Sequence, residues 1–101
     1  MIAPYPDRPG ERDRWILALR GPRNRLDPRR PYGSFVEKEA SEAGTPVSVA
    51  TLLLANRECP WRCLMCDLWQ NTLTETTEQG AIPEQLRQAL VSLPPARRIK
   101  L

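Results

Sequence analysis

The sequence predicts an α/β fold organised around one strand–helix–strand unit. Residues 47–55 (VSVATLLLA) open with alternating β-branched side chains and continue as an unbroken apolar run, which is typical of a parallel strand buried on both faces. Residues 83–93 have the apolar spacing of a helix, and residues 97–101 predict the opening of a second strand. A strand, a loop, a helix and a further strand in this order make one βαβ unit.

The helix is defined by signals at both of its ends. Pro83 suits the first helical position, Glu84 complements the positive end of the helix dipole, and Pro94-Pro95 stops the helix. We expect this helix to cover the sheet with one apolar face, formed by Leu86, Ala89, Leu90 and Leu93.

Composition limits the chain to one domain and places its basic excess near the N-terminus. The 101 residues include 11 prolines and are 41% hydrophobic, which permits a modest core together with long irregular stretches. Residues 1–30 contain eight arginines and four acidic residues, whereas residues 31–101 contain seven basic and eight acidic residues. These balances of +4 and −1 add up to the net charge of +3.

The N-terminal part is predicted to contain one short helix. Residues 11–20 place Trp15, Ile16 and Leu19 at helical spacing, and the following Gly-Pro pair ends the helix. We expect its Trp15 side to pack on the core. Residues 35–42 mix apolar and charged side chains, and their secondary structure stays open.

Residues 20–32 are rich in proline and arginine and are predicted to be an extended basic segment. One interpretation is contact with nucleic-acid phosphates, with Tyr32 as a stacking surface. The other is a solvated linker whose arginines pair with nearby acids. The candidate phosphate contacts are Arg23, Arg25, Arg29 and Arg30. Residues 1–46 are thus predicted to form a basic, proline-rich, largely irregular arm, and residues 47–101 to begin the α/β core.

Nothing in the sequence predicts a membrane span or a secretory signal. No apolar run approaches the length needed to cross a bilayer, and charged residues occupy the region where a signal peptide would have its apolar core. An odd number of cysteines also argues against a disulfide framework. We therefore expect a cytoplasmic protein.

All three cysteines lie within eight residues, and the chain contains no histidine. Cys59, Cys63 and Cys66 have the spacing C-x₃-C-x₂-C, and they follow the carboxyl end of the predicted buried strand, where α/β proteins gather their ligand sites. Thiolates select zinc, copper(I) or iron–sulfur centres. Three of them leave one iron of a [4Fe–4S] cluster without a protein ligand. Trp61 lies between the first two cysteines and Trp69 follows the third, and both can shield such a centre from water.

The cysteine spacing resembles the signature of the radical S-adenosylmethionine (SAM) superfamily. The wider run NRECPWRCLMCDLW, residues 56–69, resembles the branch that contains the elongator catalytic subunit and the radical SAM subunit of archaeosine synthase. This resemblance implies that Cys59, Cys63 and Cys66 bind a [4Fe–4S] cluster. It further implies that the open iron binds SAM, whose reductive cleavage generates a radical that abstracts hydrogen from substrate. The implied activity is radical modification of a tRNA nucleoside.

The resemblance also sets expectations for the fold and for one further residue. Met65 stands where the superfamily usually has an aromatic residue, and it is expected to pack against the adenine of SAM. Radical SAM domains are partial (β/α)₆ barrels, of which this chain supplies the first βαβ unit. We therefore expect an N-terminal portion of a larger enzyme, inactive without a C-terminal portion or a partner subunit.

Two other interpretations of the cysteines remain open. They can hold a structural zinc ion, with Asp67 or another chain as the fourth ligand, or they can be inert thiols. The alternative function is a small non-enzymatic zinc or iron–sulfur module that associates with RNA through its basic arm.

Overall fold

The computed structural model describes residues 4–101 and shows a mixed α/β fold with two α-helices and one three-stranded sheet. The elements are α1 (Pro9–Leu19), β1 (Gly33–Ala40), β2 (Pro46–Leu53), α2 (Ala81–Ser92) and β3 (Arg98–Lys100), with a short 3₁₀ turn at Leu68–Asn71. β2 is the central strand, antiparallel to β1 and parallel to β3. The predicted α/β class is confirmed.

The helix predicted at residues 11–20 is present as α1 and begins two residues earlier. Pro9 stands in its first turn, where the missing amide hydrogen costs no helical hydrogen bond. Its buried side chain is Ile16. The neighbouring Trp15 is half-buried and meets the Tyr5 ring edge-on, with 5.5 Å between the ring centroids. The core contact expected of Trp15 is therefore made by the next residue, Ile16.

Most of residues 35–42, which the sequence left open, belong to β1. This strand pairs with β2 along its whole length, with Gly33 opposite Leu53 at one end of the register. The turn between the strands uses Gly44 at φ 79°, a left-handed conformation that other residues rarely adopt. Because β2 begins at Pro46, the expected boundary after residue 46 falls within a hairpin. The arm is therefore not irregular throughout.

β2 is buried on both of its faces, as predicted. Four consecutive residues, Val49, Ala50, Thr51 and Leu52, are buried, so neither face of the strand is open to water. Ala50 and Leu52 pack against Ala89 of α2, and this contact is the centre of the hydrophobic core. The strand ends just before the cysteine motif.

α2 begins two residues before the helix predicted at residues 83–93. Its N-cap is Gly80, which has φ 89°. The buried residues recur every fourth position, at Ala81, Gln85 and Ala89. Leu90 is 47% exposed, so its expected place on the buried face is wrong. A polar residue, Gln85, takes the central place on that face.

β3 completes the predicted βαβ unit. Its register with β2 runs from Arg98 opposite Val49 to Lys100 opposite Thr51. The arm contributes the antiparallel β1 on the other side of β2. Within residues 4–101, no helix is both long and apolar enough to cross a membrane.

Candidate metal centre in the cysteine loop

The cysteine motif lies in a loop whose two ends are hydrogen-bonded to each other. Beyond β2, the Glu58 amide donates to the Leu73 carbonyl (2.9 Å), and the Leu73 amide donates to the Asn56 carbonyl (2.8 Å). Arg57 and Leu73 form the corresponding parallel bridge. Residues 59–72, which we call the cysteine loop, therefore leave and return at one point beside the carboxyl end of β2.

The three cysteines are free thiols near the surface. Cys59 and Cys63 are exposed, and Cys66 is half-buried. The Cys66 amide donates to the Cys63 carbonyl (3.2 Å), which forms a turn between these two residues. The Trp61 amide donates to the Cys59 sulfur (3.4 Å). Amide hydrogen bonds of this kind tune iron–sulfur centres by stabilising negative charge on sulfur.

The donor set fits an iron–sulfur cluster in number and chemistry. Three thiols on one loop are the soft ligands that such clusters use, and their exposure leaves them free to bind. Within residues 4–101, no group of three or more histidine, cysteine or acidic side chains converges in the geometry of a metal site. The three thiols therefore share one loop but do not converge on one metal position.

Glu58, immediately before the first cysteine, is the centre of an ion cluster. Its Oε1 pairs with Arg20, while its Oε2 lies 3.3 Å from Arg23 Nη2 and 3.2 Å from Arg62 Nη1. Burial acts to raise the pKa of the Glu58 carboxyl, but the hydrogen bond from Arg20 and the charges of the three arginines outweigh it. The pKa therefore lies below its usual range. We call Arg20, Arg23, Glu58 and Arg62 the Glu58 cluster.

The same arginines also hold the far end of the cysteine loop. The guanidinium groups of Arg20 and Arg23 lie over the Trp69 ring, 4.9 and 5.8 Å from its centroid. Arg23 Nη1 donates to the Trp69 carbonyl (2.8 Å) and to the Thr72 hydroxyl (2.6 Å). The Asn24 amide adds a bond to the Gln70 carbonyl (2.9 Å). The N-terminal arm therefore braces the loop on both sides of the cysteines.

Gln85 of α2 fixes the backbone at Ala55, between the end of β2 and the start of the cysteine loop. Its Oε1 accepts from the Ala55 amide (2.7 Å), and its Nε2 donates to the carbonyls of Ala55 and Pro28 (2.8 Å each). Both Gln85 and Ala55 are fully buried. The side-chain amide of Gln85 thus provides hydrogen-bond partners for the N–H and C=O groups of Ala55, which have no partner in a neighbouring strand.

The predicted arginine contacts fall into two groups. Arg25, Arg29 and Arg30 are exposed, and Arg29 makes only a loose pair with Glu78 at 3.6 Å. Arg23 instead donates to groups of the protein itself, which agrees with the interpretation that the arginines of the segment pair internally. Tyr32 is 38% exposed.

The flanking side chains differ in exposure. Met65 is 93% exposed and therefore free to meet a ligand. Trp61 is 75% exposed, so it does not shield the cysteines as expected, whereas Trp69 is half-buried beneath the arginines.

Sequence reasoning missed Glu58, Arg20 and Gln85 as supports of this site. The available signal for Glu58 was its position, because it directly precedes Cys59 and follows an arginine. Nothing local marks Gln85, which follows the charged Glu84 in sequence and has Ala81 and Ala89 one turn away on the same helix face.

Comparison of the chain with protein-family models, with curated proteins and with solved structures found no match. The functional interpretation therefore depends on the cysteine loop, on the contacts that hold it and on the resemblance of its sequence motif.

Proposed function

We propose that the chain is the cluster-binding portion of a radical SAM enzyme, the first βαβ unit of a partial (β/α)₆ barrel. The observation that carries the proposal is the placement of the C-x₃-C-x₂-C motif. All three thiols lie in one loop with joined ends, at the carboxyl end of the buried central strand of a βαβ unit. Ligand sites of α/β proteins gather at this edge.

Five residues of the loop have a definite task in this proposal. Cys59, Cys63 and Cys66 hold three irons of a [4Fe–4S] cluster. When bound, such a cluster supplies the electron for reductive cleavage of SAM. The Trp61 amide stabilises negative charge on the Cys59 sulfur, and the exposed Met65 packs against the adenine of SAM.

A tRNA nucleoside is the substrate class that the sequence resemblance implies. The exposed basic groups of the arm support contact with a polyanion, because cationic side chains at a surface can displace counterions from phosphates. These groups are Arg25, Arg29 and Arg30. In the proposal, remaining substrate contacts come from a C-terminal portion or a partner subunit, and the enzyme works in the cytoplasm.

Anaerobic reconstitution tests the cluster. The chain should take up about four irons and four sulfides, and replacing Cys59, Cys63 or Cys66 by serine should abolish most of that uptake. Met65→Leu is the matched control, because it changes the same loop without removing a thiol, and it should bind as much iron. Uptake of zinc that survives iron challenge, with no sulfide, would instead support the RNA-associated zinc module with Asp67 as a candidate ligand.

A further inference from the structure

A surface cavity beside the base of the cysteine loop carries an excess of positive charge. The cavity has a volume of about 580 Å³ and lies against Pro60, next to the first cysteine. Its charged lining consists of Arg23, Arg57, Arg62 and Glu58, and the other lining residues are neutral. Three cations and one anion leave a net charge of +2 around this space. We call it the arginine cavity.

Among the residues that the structure describes, Glu58 is the only carboxylate that lines the cavity, and both of its oxygens are already paired. Glu58 Oε1 pairs with Arg20, which does not line the cavity, and Oε2 is shared between Arg23 and Arg62. Arg57 donates to the Thr76 hydroxyl (3.3 Å) and forms no ion pair among the described residues. Within residues 4–101, Glu58 is therefore the only ion-pair partner of the arginines that line the cavity.

Two of the three guanidinium groups are held in place by the protein. Arg62 Nη1 donates to the Cys59 carbonyl (2.8 Å), and Arg23 Nη1 donates to the Trp69 carbonyl (2.8 Å). Their side chains are only 23% and 26% exposed. A guanidinium has five donors in a rigid plane, so these bonds fix its orientation and leave other N–H groups for a ligand. Binding to such fixed groups loses little side-chain entropy.

We propose that the arginine cavity binds a dianionic phosphate group, either free phosphate or a phosphomonoester. A phosphate of this kind carries a charge of about −1.5 to −2 at neutral pH, which balances the net +2 of the lining. Fixed guanidiniums form charge-assisted hydrogen bonds with its oxygens, and the hydroxyl of Thr74, which also lines the cavity, is a further donor. The site requires no metal, so phosphate binding can be tested independently of cluster binding.

Titration of the full chain with inorganic phosphate, by calorimetry at low ionic strength, tests the site. We expect saturable binding of one phosphate, and Arg57→Gln should weaken it about tenfold, as expected for the loss of one charge-assisted hydrogen bond. Arg57 has a single side-chain partner, so this variant should fold normally. Arg14→Gln is the matched control, because it removes an equal charge from the exposed surface of α1 and should leave binding unchanged.

A second variant should act in the opposite direction. Glu58→Gln removes the competing carboxylate and raises the net charge of the lining from +2 to +3, so the folded variant should bind phosphate more tightly than the wild type. If this variant does not fold, the phosphate titration of Arg57→Gln still tests the proposal. Acetate should bind more weakly than phosphate because it carries a single charge.

The source of the phosphate is tested with a mononucleotide 5′-monophosphate and with dimethyl phosphate. The monophosphate should compete with inorganic phosphate for the site if the ligand is a phosphomonoester, and free phosphate is the ligand if the monophosphate is excluded. Dimethyl phosphate, a monoanionic diester like the nucleic-acid backbone, should bind weakly. Phosphate binding that does not saturate, that is equal in Arg57→Gln and Arg14→Gln, or that is matched by dimethyl phosphate would overturn the proposal.

Discussion

Replacing Gln85 by leucine should loosen the end of β2 and destabilise the whole fold. The substitution removes both hydrogen bonds to the buried Ala55 backbone, and each orphaned group costs about 1–3 kcal/mol. The Pro28 carbonyl adds little, because Pro28 is exposed and water can replace the lost donor. Burying leucine returns about 1.5–3 kcal/mol. We therefore expect a net loss of about 2 kcal/mol from a domain stability of about 5–15 kcal/mol.

Urea unfolding followed by tryptophan fluorescence measures this loss. Gln88→Leu is the matched control on the same helix, because Gln88 is only half-buried and donates to Glu84 at 3.2 Å. It should change the unfolding free energy by no more than about 0.5 kcal/mol. Gln85→Glu should be more harmful at neutral pH than the leucine variant, since its carboxylate would face the Ala55 carbonyl oxygen.

Hydrogen exchange at the Ala55 amide supplies a local measurement for the same perturbation. This amide should be protected in the wild type and should exchange faster in Gln85→Leu, relative to amides at the centre of β2. Equal unfolding free energies for Gln85→Leu and Gln88→Leu, with Ala55 equally protected in both, would refute the assignment of Gln85 as the support of this backbone unit.

Two further predictions concern the Glu58 cluster and the exposed arginines of the arm. Glu58→Ala should cost about 1–3 kcal/mol, because it leaves three partly buried arginines without their shared carboxylate. Arg62→Gln should cost less because the Arg62 side chain is more exposed; urea unfolding compares the two variants. A small effect of Glu58→Ala would show that the cluster does not hold the loop. Glutamine at the exposed arginines of the arm should flatten the salt dependence of tRNA binding, measured by filter binding between 50 and 200 mM salt. The residues to be changed are Arg25, Arg29 and Arg30. If the dependence of tRNA binding on salt concentration is unchanged, this segment makes no phosphate contacts.

The elements that sequence alone predicted are those whose signal is local. Residues 47–55 are apolar without interruption, and a strand with this pattern needs cover on both faces wherever it lies. β1 had no such signal, because it carries charges and its Phe35 remains 42% exposed. Strands at the edge of a sheet commonly carry charged side chains. β1 can be recognised only from its pairing with β2, and the pattern of residues 35–42 does not reveal that pairing.

The buried face of α2 shows a second limit of pattern reasoning. The apolar residues predicted a face that includes Leu90, but Gln85 lies at the centre of the buried row. A polar side chain is buried only where its hydrogen-bonding groups find partners. Those partners are the Ala55 and Pro28 backbone groups, 30 and 57 residues away in sequence. No property of the helix sequence itself could indicate them.

The arginines of the arm show how contacts distant in sequence change a functional interpretation. In sequence, the arginines of residues 20–32 suggest either a contact with nucleic-acid phosphates or a linker whose arginines pair with nearby acids. In the structure, Arg20 and Arg23 pair with Glu58, which is 38 and 35 residues away, and stack on Trp69. Both arginines therefore help to hold the cysteine loop in place. Any tRNA contact made by residues 20–32 should then come from the exposed Arg25, Arg29 and Arg30, so the salt dependence contributed by this segment should reflect about three phosphates rather than the five that its arginines would allow.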